Sequence, residues 1–197
     1  MFIMRKYLLH ILIISFVLFS MPFTQAEEET RINLRSSFEE LSVDQVHAIP
    51  NISFRKWKPW GFYGYSTISH DYKVETIKGE KVVIDNVTGL MWHQSGSRLH
   101  MNWAKAKQWI KDLNSSEYAG YNDWRLPTVE EAVSLLEKAK KSDNIYIDTV
   151  FDKNQLYIWT GDSYGSRTAW VVSFRNGQVT WIRIDFRNYV RPVRTMK

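Results

Sequence analysis

The run Asp123-Trp124-Arg125-Leu126-Pro127-Thr128, followed by Glu131, constrains the fold of this chain more than any other stretch. Pro127 fixes its own φ and pushes Leu126 out of helical geometry, so a helix can begin only after it. Thr128 then stands at the N-cap, and Glu131 can reach back to the cap N–H, the capping-box spacing. Trp124 and Leu126, just ahead of the cap, are expected to be buried. The run therefore reads as a loop-to-helix anchor. Asp123 and Arg125 are expected to tie that loop to the domain rather than to touch a ligand.

Residues 1–26 read as a signal peptide. Arg5 and Lys6 form a positive start, Leu8 to Phe19 is apolar apart from His10 and Ser15, and Thr24-Gln25-Ala26 precedes three glutamates. The apolar stretch is shorter than the roughly 18 residues of a spanning helix. The alternative is an uncleaved N-terminal anchor. No later stretch is apolar enough to cross a bilayer, and a chain without cysteine has no lipidated-cysteine anchor. The expected location is exported, periplasmic or secreted, and the absence of disulfides fits a bacterial protein that relies on packing alone. Losing Arg5 and Lys6 lowers the formal charge from +5 by two, to +3. That weak positive charge on an exported chain argues against nucleic acid as a partner.

Residues 27–80 read as an N-terminal extension and 81–197 as the main domain. Within the extension, Ser42 and Gln45 have capping-box spacing for a short helix to about His47, which Pro50 must end. Lys56-Trp57-Lys58-Pro59-Trp60 is irregular and basic. In the main domain, Lys81–Asp85 and Leu90–Trp92 read as strands across a turn at 86–89. Trp103, Ala106, Trp109, Ile110 and Leu113 recur at helical spacing behind Asn102 as cap. A second helix follows Thr128, with Ala132, Leu135 and Leu136 inward, and ends in Lys138, Lys140 and Lys141. These cations suit the negative end of a helix dipole. The last third reads as strands at 156–159, 169–174 and 179–186.

Three chemical signals are weak. Gly161-Asp162-Ser163-Tyr164-Gly165 matches a nucleophile elbow, but a strand rather than a helix follows and no histidine lies beyond His100. His93 and His100 have no third metal ligand nearby, and without cysteine a structural zinc site is disfavoured. Asp143, Asn144, Asp148, Asp152 and Asn154 lack the ordered spacing of a calcium loop and read as a solvated loop. No catalytic residue, metal or cofactor is assigned.

The C-terminal stretch is basic: Arg167, Arg175, Arg183, Arg187, Arg191, Arg194 and Lys197 face only Asp185. Asn176-Gly177 predicts a type I′ hairpin with Arg175 opposite Gln178. Trp170 then faces Arg183, and one side of the hairpin carries Trp170, Trp181, Arg183, Asp185 and Arg187. Arginine pairs bidentately with carboxylate and sulfate, and indoles stack on rings. Trp170, Trp181, Arg183 and Arg187 are therefore the candidate ligand-binding residues. The competing reading is that the arginines pair with the domain's own carboxylates.

The order of blocks is Val83-Ile84-Asp85, Thr88-Gly89-Leu90-Met91-Trp92, Trp103, the Asp123–Thr128 run with Glu131, Tyr157-Ile158-Trp159-Thr160, Ala169-Trp170, and Val190-Arg191-Pro192-Val193-Arg194. It resembles the Lcl C-terminal domain family of bacterial exported proteins over about residues 81–195. The resemblance implies an α+β, C-type-lectin-like fold with two helices and short antiparallel strands. It implies carbohydrate binding rather than catalysis, since the founding member is associated with sulfated polysaccharides. Members often carry cysteine in the closing motif, where this chain has Pro192. The Leu-Pro-Thr-x-x-Glu core is also similar to that of formylglycine-generating enzymes, but their chemistry depends on cysteines absent here. The expected function is an exported, non-enzymatic domain that binds an acidic or sulfated polysaccharide. The alternative is an interaction module for a cell-envelope protein, docked through the extension.

Overall fold

The computed structural model describes residues 31–141 and 144–196; the stretch read as a signal peptide, Asp143 and Lys197 lie outside the described residues. The described chain builds two antiparallel sheets. Strands β1 (Ile52–Lys58), β2 (Gly61–Ser66), β6 (Tyr157–Ser163), β7 (Thr168–Ser173) and β8 (Gln178–Arg183) form one, in the order β1-β2-β8-β7-β6. Strands β3 (Tyr72–Ile77), β4 (Glu80–Asp85), β5 (Leu90–His93) and β9 (Val193–Thr195) form the other, in sequence order. Helices α1 (Val43–His47), α2 (Trp103–Ser115) and α3 (Val129–Ser134) accompany them. The architecture is mixed and mostly β, with one more α-helix than the resemblance implied.

The caps stand where the sequence placed them. Asn102 accepts from the Lys105 N–H, and Ser42 with Gln45 closes both bonds of its capping box. Thr128 and Glu131 do the same at α3. That helix stops at Ser134, however, and Lys138, Lys140 and Lys141 are not on it. Tertiary backbone bonds win over propensity here. The Leu136 carbonyl accepts from Ser66 N–H, and Glu137 N–H donates to the Tyr146 carbonyl, which takes the chain out of the helix. Leu135 and Leu136 are buried all the same.

Residues 31–80, expected as an extension, supply β1 to β3. The Phe62–Val179 pair joins β2 to β8, and six pairs join β3 to β4. Leu41, Val46 and Phe62 sit in the main core with Trp92, Ile158, Trp170 and Phe174. A smaller cluster under α2 holds Ala106, Ile110, Leu126 and Trp159. Burial of these aromatic and aliphatic surfaces, worth about 25 cal/mol per Å² removed from water, replaces the disulfides the chain lacks.

The β7–β8 hairpin is two residues out of the expected register. Ser173 faces Gln178, and four residues connect them. Only Gly177 of the expected pair takes positive φ, at 75°. Asn176 instead uses its side chain to accept from the Gln178 N–H at 3.1 Å, so it has no need of the left-handed conformation. A shift by two preserves the face of every side chain. Trp170 and Trp181 therefore still share a face, but they stand opposite each other.

Candidate functional site

The Asp123–Thr128 run is wholly engaged in structure. Glu131, fully buried, receives both Arg125 guanidinium nitrogens at 2.6 Å and the Thr128 N–H at 2.8 Å. Arg194 forks onto Asp123 at 2.6 and 3.1 Å and lies 3.8 Å over the Tyr121 ring. Arg125 also exchanges backbone bonds with Val193, so the loop is stitched to β9. Asp162 of the serine-elbow look-alike is buried in β6. It accepts from Arg35 at 2.7 Å and from the Val129 N–H that opens α3 at 2.6 Å. The Glu131 and Asp162 carboxylates are buried and satisfied, while Asp123 is paired with Arg194 at the surface.

The four hairpin candidates are not brought together as one surface. Trp170 has no exposed surface and donates its indole N–H to the Leu41 carbonyl, so a ligand cannot reach it. Trp181 is half-buried, edge-on to Trp170 at 5.3 Å and under Tyr164 at 4.4 Å. Arg183 is exposed and paired with Asp185. Arg187 lies elsewhere, on the wall of a groove that α2 helps to form.

That groove, of about 450 Å³, is lined by His100, Lys105, Trp109 and Arg187 among others. It shares Leu99, Met101 and Trp109 with a larger groove of about 950 Å³, which adds His93, Arg98, Tyr118, Gln155 and Tyr189. Asn154 links the larger groove to a third, of about 1010 Å³, lined by Lys140, Lys153, Tyr157, Arg175 and three asparagines. No carboxylate lines that third groove among the described residues. The three adjoin through these shared residues; the central one carries aromatic rings together with Lys81, Arg98, Glu80 and Asp152, and cations line both outer ones. Leu99, 73 % exposed, stands on the rim where the first two meet.

The closing motif explains how the wall of the central groove is held. Arg191 of the closing motif is fully buried and forms no ion pair with a carboxylate among the described residues. Its guanidinium donates instead to the carbonyls of His93, Gln94 and Asp152 and to the Gln155 side-chain oxygen. Burial pushes its pKa down to about 9, which still leaves it charged at neutral pH. One cation thus ties the two segments 93–94 and 152–155, which wall the central groove, to the closing motif. Gly96 turns that wall at φ +66°, where a Cβ would lie 2.5 Å from the Val190 carbonyl oxygen.

His93 accepts from the Gly96 N–H through Nδ1 and stacks on Tyr118 at 4.2 Å. Burial, then the charge of Arg191, lowers its pKa to about 4, so the ring is neutral at physiological pH. Burial likewise raises the Tyr118 phenol, whose hydroxyl donates to the Lys81 carbonyl at 2.8 Å. His93 and Tyr118 therefore offer ring faces and neutral hydrogen-bonding groups beside the charged Glu80, Lys81, Arg98 and Asp152. Among the described residues, no three histidine or carboxylate side chains converge as metal ligands.

Composition had pointed to aromatics and arginines but placed them on the hairpin. What it missed is that helix α2 and the 93–101 loop present Trp109 and Arg98 to the same groove. The helical spacing of Trp109 was visible, but its position at the margin of the helix's buried face was not.

Antiparallel sheets and a few capped helices define an α+β domain. The chain belongs to the Lcl C-terminal domain family, whose model matches residues 81–194. That family is a domain of unknown function, not a known enzyme family. A comparison with curated proteins found no match. No helix among the described residues is long and apolar enough to cross a membrane.

Proposed function

We propose that this protein is an exported, non-enzymatic binding domain of C-type-lectin-like architecture, and that its ligand is an acidic or sulfated polysaccharide lying along the band of grooves. The observation that carries the reading is the order of chemistry along the band. Trp109, Tyr118 and Tyr189 offer ring faces in the middle. Lys105 and Arg187 stand toward one end, and Lys140 and Arg175 toward the other. A polymer of rings bearing anionic groups matches that order, stacking centrally and pairing its sulfates or carboxylates with guanidinium and ammonium groups. Neutral His93 and the neutral amide of Asn154 suit sugar hydroxyls. Arg187 stays in the site from the sequence reading, while buried Trp170, and Trp181 and Arg183, which line none of the three grooves, are dropped.

Retention on a heparin column, eluted by salt, tests the reading. The protein binds at low salt. The pairs Lys140→Gln with Arg175→Gln and Lys105→Gln with Arg187→Gln each elute earlier, because surface ion pairing is screened by salt. Trp109→Ala lowers retention without changing the charge. No retention at low salt, or retention unmoved by all three variants, overturns it.

A further inference from the structure

We infer that the tip of the β1–β2 hairpin docks on an anionic lipid bilayer. From Gln45 to His70 the chain has no aspartate or glutamate, while Arg55, Lys56 and Lys58 fall together around two tryptophans. Trp57 is 50 % and Trp60 38 % exposed; no other tryptophan is among the exposed large side chains. Neither Lys56 nor Lys58 forms an ion pair with a described residue.

The placement favours a bilayer over a flat ligand. Trp57 stacks on Phe54 and leans toward Phe62, whereas Trp60 meets Tyr63 edge-on at 5.9 Å. Phe62 and Tyr63 are successive residues of β2, so they point to opposite faces of the hairpin. The two indoles therefore flank the tip on both sides. A sugar ring can stack on one of them but not on both. An interface that the tip enters end-on surrounds both at once, with the indoles at headgroup level and the lysines on the phosphates.

Edge protection does not account for the pattern. β1 is the outer strand of its sheet, and its lysines, the bulge between Phe54 and Lys56, and Pro59 all guard that edge against another strand. Exposed indoles work against such protection. The tip is also firmly held, since Thr180 donates its hydroxyl to the Trp60 carbonyl at 2.6 Å and Gly61 leaves no room for a side chain beside the Val179 carbonyl.

The experiment mixes the full chain with vesicles of brominated phosphatidylglycerol and phosphatidylcholine, and separately with brominated phosphatidylcholine alone. It reads tryptophan quenching. No tryptophan lies in residues 1–30, so insertion of the leader is itself silent in this signal. Quenching is expected on the anionic vesicles only. Lys56→Gln with Lys58→Gln is expected to weaken it roughly 30-fold in lipid concentration, at about 1 kcal/mol per cation removed. Trp57→Phe with Trp60→Phe removes the quenching while vesicle pelleting in the presence of anionic lipid persists. Equal quenching on both vesicle types overturns the inference, and so does quenching unmoved by the lysine variant. If the lysine variant instead lowers heparin retention and leaves vesicle quenching intact, the tip belongs to the polysaccharide surface and the inference fails. The groove variants Lys105→Gln with Arg187→Gln are expected to leave vesicle quenching unchanged, which separates this result from the proposed function.

Discussion

Replacing Arg191 by methionine is the sharpest test of how the central groove is held. The guanidinium satisfies four buried or half-buried oxygens: the Gln94 carbonyl, the His93 carbonyl at 3.3 Å, the Asp152 carbonyl at 2.8 Å, and the Gln155 side-chain oxygen at 3.1 Å. A methionine side chain would fill much of the volume and would relieve the cost of burying a charge. It would also strand those four acceptors. Gln94 and Asp152 are half-buried, so water can reach their neighbourhood, whereas His93 and Gln155 are buried. Stranding a buried acceptor costs about 1–3 kcal/mol, so the two at His93 and Gln155 together cost about 2–6 kcal/mol. The expected loss is about 4 kcal/mol, a large share of the roughly 5–15 kcal/mol that holds a domain folded. In urea, with a slope of about 2 kcal/mol per molar, the midpoint should fall by about 2 M. Arg191→Lys keeps the charge and three donors but cannot span four acceptors in a plane, so its loss should be intermediate. A loss below about 1 kcal/mol for Arg191→Met, well under the cost of stranding those acceptors, would refute the claim that this cation clamps the groove wall.

Three further outcomes follow from the same geometry. Thr128→Ala removes the α3 cap and should cost about 1–2 kcal/mol in urea denaturation, with the helix otherwise retained. His93 has a folded pKa of about 4 against an ordinary 6.5, so the unfolded chain binds more protons between those values. Stability should therefore be complete above pH 6.5 and fall by about 2–3 kcal/mol as pH drops toward 4, and His93→Gln should flatten that part of the profile. Gly61→Ala would place a Cβ 2.1 Å from the Val179 carbonyl oxygen at φ +136°, so it should uncouple β2 from β8 and lower the thermal midpoint.

Much of the fold was legible because local rules and tertiary packing agree there. The Thr128–Glu131 and Ser42–Gln45 boxes, the Asn102 cap and the β4–β5 pair depend on residues close in sequence, and they form as read. β1, β2 and β9 were not legible. β1 and β2 pair locally but their apolar residues do not alternate cleanly, since β1 is interrupted by a bulge and by three cations, while β9 and the second edge of β2 find their partners far away in the chain. The hairpin register failed for a related reason, since Asn-Gly only permits a type I′ turn, and bonds from Tyr146 to Phe174 and from Phe174 to Leu156 pull the loop open. The same limit governed the site. An alternation rule puts Trp170 beside Trp181 but cannot say that Leu41, 129 residues earlier, covers it. The pairing of Asp123 with Arg194 and of Arg125 with Glu131 was anticipated in kind, because carboxylates and arginines beside a cap are more useful to the loop than to a ligand.

The central claim is that ligand meets the Trp109 band and not the hairpin core. Titrating the protein with a sulfated oligosaccharide while following the nine indole N–H resonances tests this most directly. The Trp109 signal should move with saturable, salt-sensitive dependence on ligand, and the buried Trp170 signal should stay in place. Movement of Trp170 or Trp181 with Trp109 stationary, or no movement at all at low salt, would contradict it.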